Sequence, residues 1–323
     1  MDWDAVFGAG AIIPLLNAGI RLAMPTACAA AGETFAERAG VLNLGLEGMM
    51  LGGALASFLV SLETGNTWIG FVAAPTVGAL MALAMGLFTI KLKAEQVVTG
   101  ITLVLLASSV TSFLYQELFE IQVAPPRIER LPVVEIPLLA DIPFLGPILF
   151  TQNVLVYVAV AMIVGVWFLL FRTRFGLAAR AVGESPSAAD TNGVPVDRVR
   201  MLSLVISGAM AGVGGGVLVI AQLGFYQDQV TAGRGWIAIA LVYFSRWNPI
   251  WALGGALLFG VVDSLQLRIQ AAGGGFHNPI PFEVFQALPY LVTLGVLILA
   301  AKRQRRVGQP AALGIPYEKE AHA

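Results

Sequence analysis

Five polar side chains within residues 32–50, Glu33, Glu37, Arg38, Asn43 and Glu47, are the groups in this chain whose types and spacing most invite chemistry. They lie between two strongly apolar stretches, 9–31 and 45–62. Ionisable groups are costly in hydrocarbon and face protein neighbours or a water-filled cavity there. For Glu33, Glu37 and Arg38 two readings stand side by side, a polar connection between two spans or groups held inside the membrane for a purpose. Asn43 and Glu47 sit deeper, among leucines, methionines and glycines, and for them a functional role is the stronger reading.

The rest of the composition says what must position these groups. Of 323 residues, 57% are hydrophobic and only 12% are charged, with a mean hydropathy of +0.80. A soluble domain averages about a quarter charged residues, so this is a membrane protein. The net charge of −1 says little about partners, because where the charges fall matters more than their sum. One cysteine, Cys28, excludes an intrachain disulfide and suggests no thiolate metal site. The start, Met1-Asp2-Trp3-Asp4, carries acid where a secretory signal carries Lys or Arg.

Nine apolar segments approach the length needed to cross a hydrocarbon core of about 30 Å. They lie near 9–31, 45–61, 67–90, 96–116, 153–171, 201–223, 232–246, 249–268 and 286–301, and the seventh is short enough to be tilted or broken. The fold class expected is therefore an all-helical, polytopic integral membrane protein, a single transmembrane domain over residues 1–306 with a tail at 307–323. Cytoplasmic connections are enriched in Lys and Arg. With the N-terminus outside, Arg38, Lys91, Lys93, Arg172, Arg174, Arg180, Arg198, Arg200, Arg246 and the cluster Lys302–Arg306 fall inside, with Lys319. Only Arg127, Arg130, Arg234 and Arg268 then fall outside, and Arg21 lies within the first span. That asymmetry predicts N-out, C-in.

Two connections are long. Residues 117–151, on the external side, carry Pro125, Pro126, Pro132, Pro137, Pro143 and Pro147, a density that forbids regular helix and favours extended or turn structure. A passive cap and a surface for an external protein are both open readings. Residues 172–200, on the cytoplasmic side, are more explicit. Ser185 is a good N-cap, Pro186 fits the first helical position, and Ala188 and Ala189 favour helix. Asn192-Gly193 supplies a left-handed stop with Pro195 beyond it. One or two turns of helix so short need a partner surface, and small alanines suit insertion into a groove of another protein.

Other chemistry has little support. Gly208, Gly212 and Gly216 recur every fourth residue and mark a smooth helix face for close packing in lipid. Gly273-Gly274-Gly275 falls in an outer loop, and the sequence has no Gly-Lys-Ser/Thr phosphate loop, no His-Glu-x-x-His helix, no paired cysteines and no Gly-x-Ser-x-Gly turn. Asp263 in the eighth span reads either as a proton relay or as a partner to a neighbouring helix. The lack of a visible relay partner favours the second. Arg21 either pairs with such an acid or snorkels to the interface.

Residues 32–50, read as Gly-Glu-Thr-Phe-Ala-Glu-Arg-Ala-Gly-Val-Leu-Asn-Leu-Gly-Leu-Glu-Gly-Met-Met, resemble the N-terminal motif of permease subunits from bacterial nucleoside importers of the ATP-binding cassette class. The run from Arg174 to Val194, through Gly183-Glu184-Ser185-Pro186-Ser187-Ala188-Ala189-Asp190, looks like the cytoplasmic coupling segment of the ribose and nucleoside branch. Stretches 207–216 and 231–240 match the same pattern, so the resemblance spans most of the chain. One departure is Tyr243-Phe-Ser-Arg-Trp247, where relatives more often carry small residues before the Arg.

The resemblance implies a multi-pass subunit of the cytoplasmic (inner) membrane that does no covalent chemistry and alternates between outward and inward openings. It implies a cytoplasmic ATPase subunit that binds the ATP and Mg, docked on residues 183–190. It further implies a second homologous permease and an external binding protein or lipoprotein delivering nucleoside. No cofactor on this chain and no nucleic-acid partner are expected. Under that reading Asn43 and Glu47 are the leading substrate-pathway residues, with Thr99, Gln222 and Trp236 behind them; for Trp236 an interfacial anchor is the stronger reading. A simple-sugar permease is the alternative within the family. An ion-coupled secondary transporter would need an intramembrane acid for coupling and no docking helix, and a membrane enzyme would need a nucleophile or metal set that is not visible.

Overall fold

The computed structural model describes residues 8–119, 125–272 and 308–318, with isolated positions between 287 and 298. Residues 9–38 form α1, a 30-residue helix that keeps Pro14 and Pro25 within it. Apolar side chains on all faces of a helix this long mark it as buried in protein and lipid. After a non-helical link, α2 (Leu46–Thr64) returns and ends on left-handed Gly65. Helix α3 (Thr67–Gly86) starts on an Asn66 side-chain cap and runs on through a wider π turn, Leu87–Lys91. Helix α4 spans Gln96–Phe119.

The proline-rich connection is folded. A two-stranded antiparallel hairpin pairs β1 (Val133–Glu135) with β2 (Thr151–Asn153), Val134 opposite Gln152, around a short helix α5 (Leu145–Leu149). Asn17 of α1 donates to the Pro147 carbonyl at 2.6 Å and Gln152 donates to the Asn17 carbonyl at 3.2 Å, so the hairpin is tied down onto the Gly8 end of the bundle. Asn153 then caps α6 (Val154–Arg172), accepting from the Leu155 N–H at 2.9 Å.

Two short helices, α7 (Arg174–Glu184) and α8 (Pro186–Thr191), lead to α9 (Val196–Val217), which continues as a π turn through Leu223. A non-helical stretch, residues 224–233, precedes the 11-residue α10 (Arg234–Phe244), and α11 runs over Pro249–Ala272. Among the described residues seven helices, α1, α2, α3, α4, α6, α9 and α11, are long and apolar enough to cross a membrane. They match the first six and the eighth expected spans. The expected seventh is half a span, α10. The expected ninth, with Gly273–Gly275, falls outside the described residues.

Helix α9 is the hub, with 78% of its apolar window buried, against 17% for α4, which lies along the edge. Small residues let α9 be approached from three sides. A Cβ on Gly53 of α2 would sit 2.5 Å from the Gly212 Cα. Gly208 lies against Gly78 and Ala82 of α3, Gly212 against Ala74, Gly216 against Ala74 and Phe71, and Gly215 against the Met50 carbonyl of α2. Dispersion and close backbone approach replace a hydrophobic driving force between helices in lipid.

A side chain at Gly215 therefore has no room, whereas Gly254 has nothing within 4 Å of an added Cβ. Gly215→Val should destabilise the detergent-purified protein by about 1–3 kcal/mol through overpacking. Gly254→Ala should leave it unchanged or slightly more stable. Thermal unfolding of the two variants beside wild type checks both, and equal melting would rule out the packing role of the α9 face.

Candidate functional site

The link between α1 and α2, residues 39–45, interrupts helix while still surrounded by the bundle. Gly40 takes a left-handed φ of 85°, turning the chain back. Non-helical backbone at membrane depth needs protein partners for its polar groups, and they are present. Glu33 accepts the Asn43 N–H at 2.9 Å with one oxygen and the Ser207 hydroxyl of α9 at 2.8 Å with the other. The Asn43 side-chain amide donates to Ser207 Oγ at 3.0 Å, and Gln96 of α4 accepts the Leu42 N–H at 2.8 Å. Glu33, Asn43 and Ser207 are fully buried. Asn43 thus precedes α2 and does not share a helical face with Glu47; the link is too tight for helix and the two side chains take separate partners.

Glu47 points to α10. Its carboxylate accepts from the Thr231 hydroxyl at 2.5 Å, the Gly233 N–H at 2.9 Å and the Gly235 N–H at 2.6 Å. A helix start leaves its first N–H groups without intrahelical partners and carries partial positive charge. Here a buried acid from another helix takes the place of the missing N-cap. Gly233, at φ 80°, turns the chain into the helix. Gly235 allows the contact, since a Cβ there would lie 2.6 Å from the Glu47 backbone. Beside it, Arg234 pairs with Asp263 of α11 at 3.4 Å, both side chains largely enclosed. Arg234, which the charge pattern places in an outer connection, is therefore inside the bundle, and Asp263 has a neighbouring-helix partner.

The same segment grips the other end of α10. The indole N–H of Trp247 donates to Glu37 at 2.5 Å, and the Arg38 guanidinium donates to the carbonyls of Trp247 at 3.1 Å and Arg246 at 3.3 Å. Arg246 and Trp247 both have positive φ, 54° and 56°. Trp247 is completely buried, so the aromatic departure at 243–247 has a specific job. The acids and Arg of residues 32–50 hold this half-span at both ends. A sequence cue existed in the unusually short seventh segment, but nothing in the spacing pairs it with the acids.

The remaining candidates lie apart from this network. Thr99 bonds back to the Glu95 carbonyl at 2.7 Å, Gln222 donates to the Arg21 carbonyl at 2.5 Å, and Trp236 is 42% exposed on α10. Among the described residues, none of the three shares a hydrogen-bond partner with Asn43 or Glu47.

The 172–200 connection forms the expected short helix. Ser185 accepts the Ala188 N–H, Pro186 opens α8, and Gly193 closes it at φ 80°. Gly183 packs against the Arg38 carbonyl, which fixes α7 to the end of α1. The tail joins in: Ala312 N–H donates to the Gly183 carbonyl at 2.9 Å, Gly314 N–H to Gly40 at 3.2 Å, and Arg200 to the Ile315 carbonyl at 2.9 Å. A groove lined by Glu184, Ser185, Pro186, Ser187, Ile315 and Tyr317 runs between tail and α8. Ala188 is exposed while Ala189 is buried within the chain.

Residues 15–301 match the family model described as branched-chain amino acid transport system / permease component. The chain is similar to the nucleoside ABC transporter permease NupC of Lactococcus lactis, 36% identical over 89% of this chain and 91% of that one. It is similar to the guanosine ABC transporter permease NupQ of Bacillus subtilis, 36% identical over 94% and 96%. It is also similar to a putative glucose ABC transporter permease, TsgC13 of Haloferax volcanii, 39% identical over 95% and 98%. No solved structure matches.

Removing the acid that caps α10 leaves three buried donors short of a partner. Glu47→Ala should lower stability by about 1–3 kcal/mol and Glu47→Gln by less, since the amide keeps one acceptor oxygen. Trp247→Phe should act in the same direction by orphaning Glu37. Thermal unfolding of the three variants, with proteolysis of the 224–247 segment alongside, reads this out; wild-type behaviour in Glu47→Ala would show the carboxylate does not hold the helix.

Proposed function

The chain belongs to the permease family of the branched-chain amino acid transport type, and from that premise we propose that it is one transmembrane subunit of an ATP-driven importer that carries nucleosides by alternating access. The observation that supports the cargo most directly is near full-length similarity to permeases named for nucleoside and guanosine. In this reading the chain performs no covalent chemistry. A separate cytoplasmic ATPase binds ATP and Mg, a second homologous permease completes the path, and an external binding protein or lipoprotein delivers cargo to the face built by the proline-rich hairpin. The protein sits in the cytoplasmic (inner) membrane as one domain over 1–306. It has nine spans, the N-terminus outside, and α7, α8 and the 308–318 tail in the cytoplasm.

Residues 183–190 serve as the ATPase-docking element. Support comes from a helix of six residues, capped at both ends, that exposes Ala188. Among the pathway candidates, Asn43 and Glu47 contribute by holding the walls, Thr99 and Gln222 are half-buried and bonded to backbone carbonyls, and Trp236 is exposed. A simple-sugar cargo is the second reading, favoured by the putative glucose permease at 39% identity.

Uptake of radiolabelled nucleoside and glucose by vesicles carrying the whole complex separates the two cargoes; nucleoside-driven ATP hydrolysis without response to glucose is the expected result. Ala188→Glu should abolish ATPase pull-down with the permease still folded, because an unpaired charge enters a desolvated contact. Ala189→Glu should lower stability as well, since that side chain is buried. Retention of the ATPase at normal strength by Ala188→Glu would sink the docking assignment. A reporter fused after residue 306 should read cytoplasmic and one within residues 125–147 external; the same compartment for both would mean a wrong span count.

A further inference from the structure

The 224–233 segment carries an exposed acid at membrane depth. Ser112 Oγ donates to Asp228 Oδ2 at 2.9 Å, Gln116 Nε2 donates to Ser112 Oγ at 3.3 Å, and Gln229 Nε2 donates to Ser108 Oγ. Ser108 and Ser112 lie about 18 and 24 Å along the ~36 Å of α4, so Asp228 and Gln229 sit between the middle and the outer third of a span. The backbone there is not helical, and Gln229 and Ala232 have positive φ of 54° and 47°. Lipid-exposed irregular backbone does not occur in hydrocarbon; it is found buried in protein or lining water. Asp228 and Gln229 are exposed on the chain's surface, so water is the solvent that fits.

Helix α4 agrees independently. It is the least buried span, yet its outward side is not uniformly apolar. Ser109, Ser112 and Gln116 fall within about 60° of one another around the helix, Ser109 and Gln116 exposed and Ser112 half-buried. We propose that Asp228 and Gln229, with this polar stripe of α4, form the cargo-contact site of the translocation path, the Asp228 carboxylate receiving the vicinal hydroxyls of a ribose or sugar ring. This deepens the importer reading and rests on it. A carboxylate offers about four acceptor positions. Ser112 occupies one and the Gln229 N–H, at 3.1 Å, a second. The others face the open side, enough for the two O–H donors of a diol. Polar groups this sparse suit a site that must release what it holds. The residues the motif draws attention to, Asn43 and Glu47, have their donors and acceptors directed into the protein instead.

The test uses the complete complex in vesicles, with the binding protein saturated by each cargo. Wild type should move a ribonucleoside faster than its 2′,3′-dideoxy analogue. Asp228→Ala should cut ribonucleoside uptake at least about tenfold and bring the ratio of the two cargoes close to one, with assembly unchanged. Equal loss for both cargoes, or full ribonucleoside uptake, would overturn the diol assignment while leaving the importer reading intact. Transport of neither nucleoside nor sugar by wild type would overturn the importer reading and this inference with it. Cysteine labelling gives a second readout, because the only native cysteine, Cys28, is fully buried. Ser109→Cys and Gln116→Cys should react with a membrane-impermeant cationic thiol reagent and be protected by ribonucleoside, while Leu114→Cys, exposed within the span on the opposite face of α4, should not react. Silence at both polar positions would place the stripe against lipid or the second permease and overturn the proposal.

Discussion

One carboxylate bears on much of this architecture. Helix α10 begins inside the membrane, where its first N–H groups have no water to bond, and Glu47 supplies the acceptors. Without such a partner each orphaned group in hydrocarbon is costly, and a helix could not start there. The break it permits has two consequences. It leaves residues 224–233 free to be non-helical within the span, and it lets α10 end at Phe244, with Glu37 and Arg38 holding the turn through Trp247 just beyond. The short helix is therefore clamped from start to finish by one stretch of sequence, residues 32–50. That stretch is itself held to α9 by Glu33, Asn43 and Ser207.

The clamp explains which parts of the fold were legible beforehand. Long apolar runs gave nine expected spans, seven of which coincide with long apolar helices among the described residues, because length and hydropathy are local properties. Helix α1, however, runs on past 31 to Arg38 and takes Glu33 and Glu37 into the helix. The Ser185-Pro186 start and Gly193 stop of α8 were legible for the same reason, since caps act over four residues. Glu47 was recognisable as unusual but not as a cap for a helix 187 positions further on, because no local rule links an acid to a distant Gly-Arg-Gly. Trp247 appeared only as a departure from pattern, and its indole partner, Glu37, is equally remote in sequence. Asp228 and Gln229 were missed because they occupy what reads as an ordinary polar turn. Only their level beside Ser108 and Ser112 gives them meaning.

Burial divides the molecule into a part that is locked and a part that is not. Backbone-to-backbone contact at Gly53, Gly212 and Gly215 leaves α2 and α9 no slack, and cores packed this way switch between discrete arrangements more readily than they deform. The tail over 308–318 adds hydrogen bonds among Gly40, Gly183 and Arg200 at the Arg38 end. These contacts, with Gly183 of α7 packed directly on the Arg38 carbonyl, join the α7–α8 connection to the end of α1 and to α9.

The proposed alternating access then has a natural division of labour. In that reading α1, α2, α9 and the clamped α10 form one closely packed body, tied together by the bonds of Glu33, Glu37, Arg38 and Glu47. Helix α4, enclosed over only a small part of its length, touches that body near the α2 start through Gln96, Gly100, Leu103 and Ala107, and further along through the hydrogen bonds of Ser108 and Ser112. The last two are bonds to the very residues that face the open side. A diol on the remaining acceptor positions of Asp228 would sit beside the Ser112 bond without displacing it, so in the proposed path cargo and the attachment of α4 meet at one carboxylate. Occupancy of the proposed path and the position of its wall are thereby read by the same side chain.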